Sequence, residues 1–238
     1  MSSRFTFRGN SNNYPVWSPD GSQIVFASNR EGQYNLDRKP ANGAKEEELL
    51  LKSNKNKRPE SWSRDGRYLM YASSTSSFGL EELWVLRMQG DRTPFPFARS
   101  RFDETDAQFS PDGRWVAYAT NESGLYELYV REFTPPPGPT ESGGKWQISN
   151  GGARPEWRED GKEILYYNPT NSARMSVSID SAGGFHAGLP RQLFLEPAAG
   201  VGATATPDLK RLLLVVPAEQ KGPQAFNVMV NWAAGLQK

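Results

Sequence analysis

Three carboxylates stand where chemistry could be done: Glu60, Asp106 and Glu156 lie five, six and four residues before the aspartate of a recurring Asp-Gly turn. A hydrolase could use two such groups, one donating a proton and the other accepting one. Side chains alternate along a strand, so this spacing sends Glu60 to the opposite side from Asp106 and Glu156 unless a bulge intervenes. The latter two share parity but differ in depth by two residues, roughly 7 Å along a strand. Binding without catalysis is favoured on that ground, with a glycosidase-like hydrolase as the alternative.

Other chemistries find little material. The chain has no cysteine and a single histidine, His186. That excludes thiolate nucleophiles, disulfides and a histidine–cysteine zinc site. His186 has no carboxylate or histidine beside it to build a triad, and reads as an exposed loop residue. There is no Gly-x-Ser-x-Gly elbow and no protein-kinase signature. Around Gly143-Gly-Lys145, Pro139 occupies the place of the first phosphate-loop glycine. No catalytic residue, metal site or cofactor is expected.

The carboxylates belong to a repeat. Its clearest copy is Phe109-Ser-Pro-Asp-Gly-Arg-Trp-Val-Ala-Tyr118. Pro111 and Asp112 suit the centre of a type I turn, and Gly113 the permissive position after it. Further copies begin at Trp17, Trp62 and Trp157, and a worn one at Ala205. The turn aspartates Asp20, Asp65, Asp112, Asp160 and Asp208 are 45, 47, 48 and 48 residues apart. Five copies at that period mean a propeller or another repeat array, and the fold expected is an all-β, five-bladed β-propeller of four antiparallel strands per blade. The chain reads as a single domain, 1–238, with repeats at about 14–51, 58–97, 105–148, 152–195 and 199–233 plus 4–8.

Within the first repeat the four strands fall at Tyr14–Ser18, Gln23–Ser28, Tyr34–Lys39 and Glu47–Leu51. Second strands such as Trp115-Val-Ala-Tyr118 are apolar on both parities, as strands covered on both faces must be. The aromatic at the first strand (Trp17, Trp62, Phe109, Trp157) recurs three residues before the turn aspartate and reads as packing between blades. Loops entering the first strands, with those after the second strands, crowd one face around a central channel. They bring Asn13, Tyr14, Arg58, Glu60, Asp106, Arg154 and Glu156 to its mouth, where a protein or small-molecule ligand is expected. Arg30, Glu31, Glu122 and Tyr126 come from the second set of loops.

With 28 basic and 27 acidic residues the net charge is +1, which gives no reason to expect nucleic acid. No apolar run is long enough to insert in a membrane, and a monomer is expected. The run Lys52-Ser-Asn-Lys-Asn-Lys-Arg58 reads as a solvated loop between blades, and Thr134-Pro-Pro-Pro-Gly-Pro-Thr140 as a surface excursion.

Val16-Trp-Ser-Pro-Asp-Gly21 with Ile24-Val-Phe-Ala-Ser-Asn-Arg30, and Gln108-Phe-Ser-Pro-Asp-Gly113, resemble TolB-like propeller repeats. Phe226-Asn-Val-Met-Val-Asn-Trp-Ala-Ala-Gly-Leu236 resembles the last strand of the C-terminal propeller of bacterial eukaryotic-type serine/threonine kinases. The resemblance spans nearly the whole chain and implies a sensor or scaffold module placed outside the cytoplasm, although the N-terminus shows no signal region. Arg4-Phe-Thr-Phe7 resembles the end of an earlier repeat, as in a fragment or short version of a longer protein. The fifth repeat lacks room for a fourth strand, so residues 4–8 are expected to pair with its third strand and close the ring.

Overall fold

In the computed structural model, residues 5–7, 11–76, 79–137, 144–196, 202–215 and 228–230 are described. Among them there is no helix. The chain forms successive antiparallel sheets, all but the fourth a simple meander of adjacent strands. The first contains β1 (Asn12–Trp17), β2 (Gln23–Glu31), β3 (Gln33–Pro40) and β4 (Glu48–Leu51). The second contains β5 (Asn56–Trp62), β6 (Tyr68–Ser74), β7 (Glu81–Arg87) and β8 (Pro94–Ala98). The third contains β9 (Glu104–Phe109), β10 (Trp115–Thr120), β11 (Glu127–Glu132) and β12 (Lys145–Gln147). In the fourth, β13 (Ala153–Trp157), β14 (Glu163–Asn168) and β15 (Ala173–Asp180) are followed by β16 (His186–Ala187) and β17 (Arg191–Leu195), both paired with β15. The fifth holds β18 (Gly202–Ala205), β19 (Arg211–Val215) and β20 (Val228–Val230).

Each sheet starts on the same hairpin because the turn is built from local polar contacts. Ser110 Oγ donates to Asp112 at 2.6 Å and accepts the Trp115 N–H at 2.9 Å, while Asp112 accepts the Arg114 N–H at 3.1 Å. Gly113 follows at φ 71°. Ser18 with Asp20, and Ser63 with Asp65, repeat the arrangement. In the fourth copy Arg158 replaces the serine and reaches Asp160 through Nε at 2.8 Å. The worn fifth copy keeps the polar pair as Thr206 and Asp208 but places Leu209 at φ 55°, where a side chain is strained.

The second strands are the core of every sheet. All residues of β6 and β10 are buried, since each lies between neighbouring sheets. The aromatic of each first strand packs toward the preceding sheet. Phe109 is buried among Tyr68 and Met70, Trp62 packs beside Val25 and Leu36, and the Trp157 indole donates to the Gln108 carbonyl at 3.2 Å. Trp17 departs from the expectation: it is 57% exposed, with no preceding sheet over it among the described residues.

Two further expectations are corrected. Within residues 4–8, Arg4 and Arg8 lie outside the described residues, and Phe5–Phe7 form no strand. They rest on the first sheet instead. Glu47 accepts the Phe7 N–H at 3.0 Å, and Lys39 donates to the Phe5 carbonyl at 2.7 Å with both phenyl rings 5.1 Å from its Nζ. A carboxylate and an ammonium facing the same short segment satisfy its backbone without a strand partner. The basic run is not a solvated loop throughout: from Asn56 onward it is strand β5, with Lys57 buried.

Candidate functional site

The first strands carry the site, and a bulge in each of the first four shapes it. In β9 the register passes from Gln108 opposite Ala117 to Thr105 opposite Ala119, so Asp106 and Ala107 together face Tyr118. In β1 and β13 the residues doubled in this way are Tyr14 with Pro15, and Arg154 with Pro155. The first residue of each pair is left-handed: Tyr14 at φ 57°, Asp106 at 54° and Arg154 at 53°. In β5 that place is held by Pro59, whose ring fixes φ near −65°. The bulge there moves one residue on, to Glu60. Displacing the bulge offsets the parity difference, so Glu60 shares one cavity with Asp106 and Glu156.

That central cavity, about 380 Å³, is lined by Glu60, Asp106, Gln108, Arg154, Glu156 and Thr204 among others. Its carboxylates are all engaged. Glu60 accepts the backbone N–H of Asp106, Asp106 accepts that of Arg154 at 3.0 Å, and Glu156 accepts that of Ala205 at 2.8 Å. Each therefore ties its own first strand to that of the next sheet. Burial pushes the Glu60 carboxyl up to about 8 against the opposing pull of Arg58. Burial also raises Glu156, countered by the Ala205 N–H and by Arg174. Arg174 is 1% exposed and lies 3.5 Å from Glu156 and 2.6 Å from Glu196.

A second cavity of about 160 Å³ lies beside the first, between the first two sheets. Asn13, Tyr14, Tyr34, Lys57, Arg58 and Glu81 are among its walls. Arg58 divides the two cavities. Its guanidinium reaches Glu81 at 2.7 Å, Glu60 at 3.0 Å and Asp106 at 3.6 Å, donates to Thr105, and stacks 5.4 Å from the Tyr14 ring. Burial opposes its charge, but Glu60, Glu81 and Asp106 more than offset that and raise its pKa.

All seven residues expected at the mouth thus line one cavity or the other. The loops after the second strands are committed elsewhere: Arg30 faces Asp37 and Glu47, Glu31 pairs with Lys52, Glu122 with Lys145, and Tyr126 donates to Asp103. His186 is exposed in β16 and lines neither cavity. Sequence reasoning missed Lys57, Glu81 and Tyr34. Lys57 was hidden in a basic run, and only its place two residues before Pro59, inside a strand, could have marked it as buried.

Neither a protein-family model nor a curated relative matches this sequence. Solved structures do match in shape. The sheets superpose on TolB from Acinetobacter baumannii with a TM-score of 0.67 at 17% identity, over 93% of this chain and 52% of that one. Prolyl oligopeptidase B from Galerina marginata gives 0.59 at 11%, over 91% and 34%. A periplasmic gluconolactonase from Pseudomonas aeruginosa gives 0.55 at 17%, over 87% and 63%. The fold is that of a β-propeller. More particularly it is TolB-like, and the chain spans about half the length of the TolB it matches.

Proposed function

We propose that this chain is a non-catalytic binding module, a five-bladed propeller that takes a protein or small-molecule ligand at its channel mouth. The observation that carries the reading is Arg154. It is held at φ 53°, a conformation that costs a non-glycine residue about 1–2 kcal/mol. Its side chain is exposed in the central cavity with no ion pair among the described residues. Asp106 offsets a similar strain by holding the next strand, and Tyr14 by stacking under Arg58. Arg154 has no such internal return, which fits a group kept for contact with something outside the chain.

The repeat likeness to bacterial kinase propellers supports a sensor or scaffold role within a longer protein. A kinase domain encoded in frame upstream would establish that role, and an unrelated frame would refute it. The hydrolase reading draws on one observation, that Asp106 and Glu156 line the same cavity, and on two neighbours named as a peptidase and a lactonase. Against it, both carboxylates already accept backbone N–H groups. The test is a turnover screen of purified protein on glycosides, lactones, esters and peptides, run beside a ligand-binding screen. No turnover is expected, and a ligand found in the central cavity should bind at least about tenfold more weakly to Arg154→Ala, as for a lost charged contact. Turnover that survives purification and vanishes in Asp106→Asn would overturn the binding module.

A further inference from the structure

Lys57 is the buried cation of the side cavity, and it has no counter-charge among the described residues. Only 4% exposed, it lines the 160 Å³ side cavity, and its Nζ donates to two neutral acceptors, Asn35 Oδ1 at 3.1 Å and the Lys55 carbonyl at 2.9 Å. An ammonium has three N–H donors, and the third has no partner among the described residues. The surrounding charged groups are spoken for. Arg58 holds Glu81, Lys55 holds Glu82 at 3.1 Å, and Asp37, two residues from Asn35 on β3, faces Arg30 at 3.5 Å. Tyr14 from β1 and Tyr34 from β3 complete the titratable groups of the cavity. Buried charges are ordinarily paired. Here burial alone pushes the Lys57 amine down to about 8, so at neutral pH it is still mostly charged and uncompensated.

We infer that the side cavity is a binding site for a small organic monocarboxylate, whose carboxylate pairs with Lys57 and whose apolar body lies between Tyr14 and Tyr34. The size fits: an apolar cavity of about 150 Å³ accommodates a benzene ring. The charge fits as well. One cation is unbalanced, since Arg58 is already surrounded by carboxylates, so a second negative charge on the ligand would itself go unpaired. The inference rests on the mouth being a binding surface, and it gives one of the two cavities there a ligand class.

Calorimetric titration of the purified chain with sodium benzoate tests it, with acetate and inorganic phosphate as comparators. Benzoate should bind saturably with one site at pH 7, acetate more weakly, and phosphate not measurably. Above the folded pKa the affinity should fall about tenfold per pH unit, because binding must first restore the proton. At pH 9, binding should take up about one proton, read from the heats in buffers of different ionisation enthalpy. Lys57→Met should weaken benzoate at least about tenfold, whereas Lys210→Met, at an exposed turn lysine that lines neither cavity, should leave it unchanged. If Lys57→Met does not fold, the wild-type pH profile and proton uptake decide the matter alone. Absent or pH-independent benzoate binding, or phosphate binding as tightly as benzoate, would overturn the inference. So would benzoate binding that survives Lys57→Met and is lost in Arg154→Ala, a result that would leave the wider reading of the mouth standing.

Discussion

Replacing Arg154 by glycine should make the protein more stable while disabling its mouth. Glycine reaches φ 53° at no steric cost, so the substitution relieves about 1–2 kcal/mol of left-handed strain. Against this, glycine adds freedom to the unfolded chain, worth about 0.5–1 kcal/mol. The Arg154 N–H that donates to Asp106 at 3.0 Å is a backbone group and is retained. No ion pair of the side chain is lost among the described residues. The net expectation is a gain of about 0.5–1 kcal/mol, or a few degrees in melting temperature for a domain of this size. Urea melts fitted with a common slope would measure it. Tyr14→Gly is the control: it relieves comparable strain but loses the stacking on Arg58, worth about 0.5–1 kcal/mol, and should come out near neutral. If Arg154→Gly instead lost more than about 1 kcal/mol, the side chain would be a structural contact, and the case for an external ligand would lose its support.

Glu156→Ala should cost about 2–4 kcal/mol in urea melts, because it orphans the Ala205 N–H and weakens the pairing of buried Arg174. Glu156→Gln keeps an acceptor and should cost less than half of that; equal losses would deny the carboxylate its role as a tie between sheets. Phe109→Ala should cost about 3–5 kcal/mol and Trp17→Ala under about 1, following their burial and exposure. Equal costs would show that Trp17 is covered in solution. Lys57 has a folded pKa of about 8 against an ordinary 10.5, so between those values the unfolded chain holds more protons. Stability should therefore rise with pH across that window, by at most about 3 kcal/mol, and Lys57→Met should remove the rise. Parallel pH profiles for the two proteins would refute the buried ammonium.

The Asp-Gly hairpins and the doubly covered second strands were legible in the residues because both are local. A serine, an aspartate and a glycine within six positions close the turn by themselves, as Ser110, Asp112 and Gly113 do. Strand-long apolar runs such as Trp115–Tyr118 admit no wet face. That the seven candidate residues line the two cavities was legible by counting within that repeat. What alternation could not give was their facing. Glu60 joins Asp106 only because Pro59 refuses the left-handed conformation that Tyr14, Asp106 and Arg154 accept, and so displaces the bulge. Nor could composition separate Lys57 from the wet lysines before it, since its burial depends on Asn35 of a neighbouring sheet, 22 residues away. The same holds for Phe5 and Phe7, whose alternation suggested a strand but whose place depends on Glu47 and Lys39. Turn chemistry and strand burial are written in near neighbours along the chain, whereas bulge position, buried charge and segment docking depend on contacts between sheets that only the folded chain brings together.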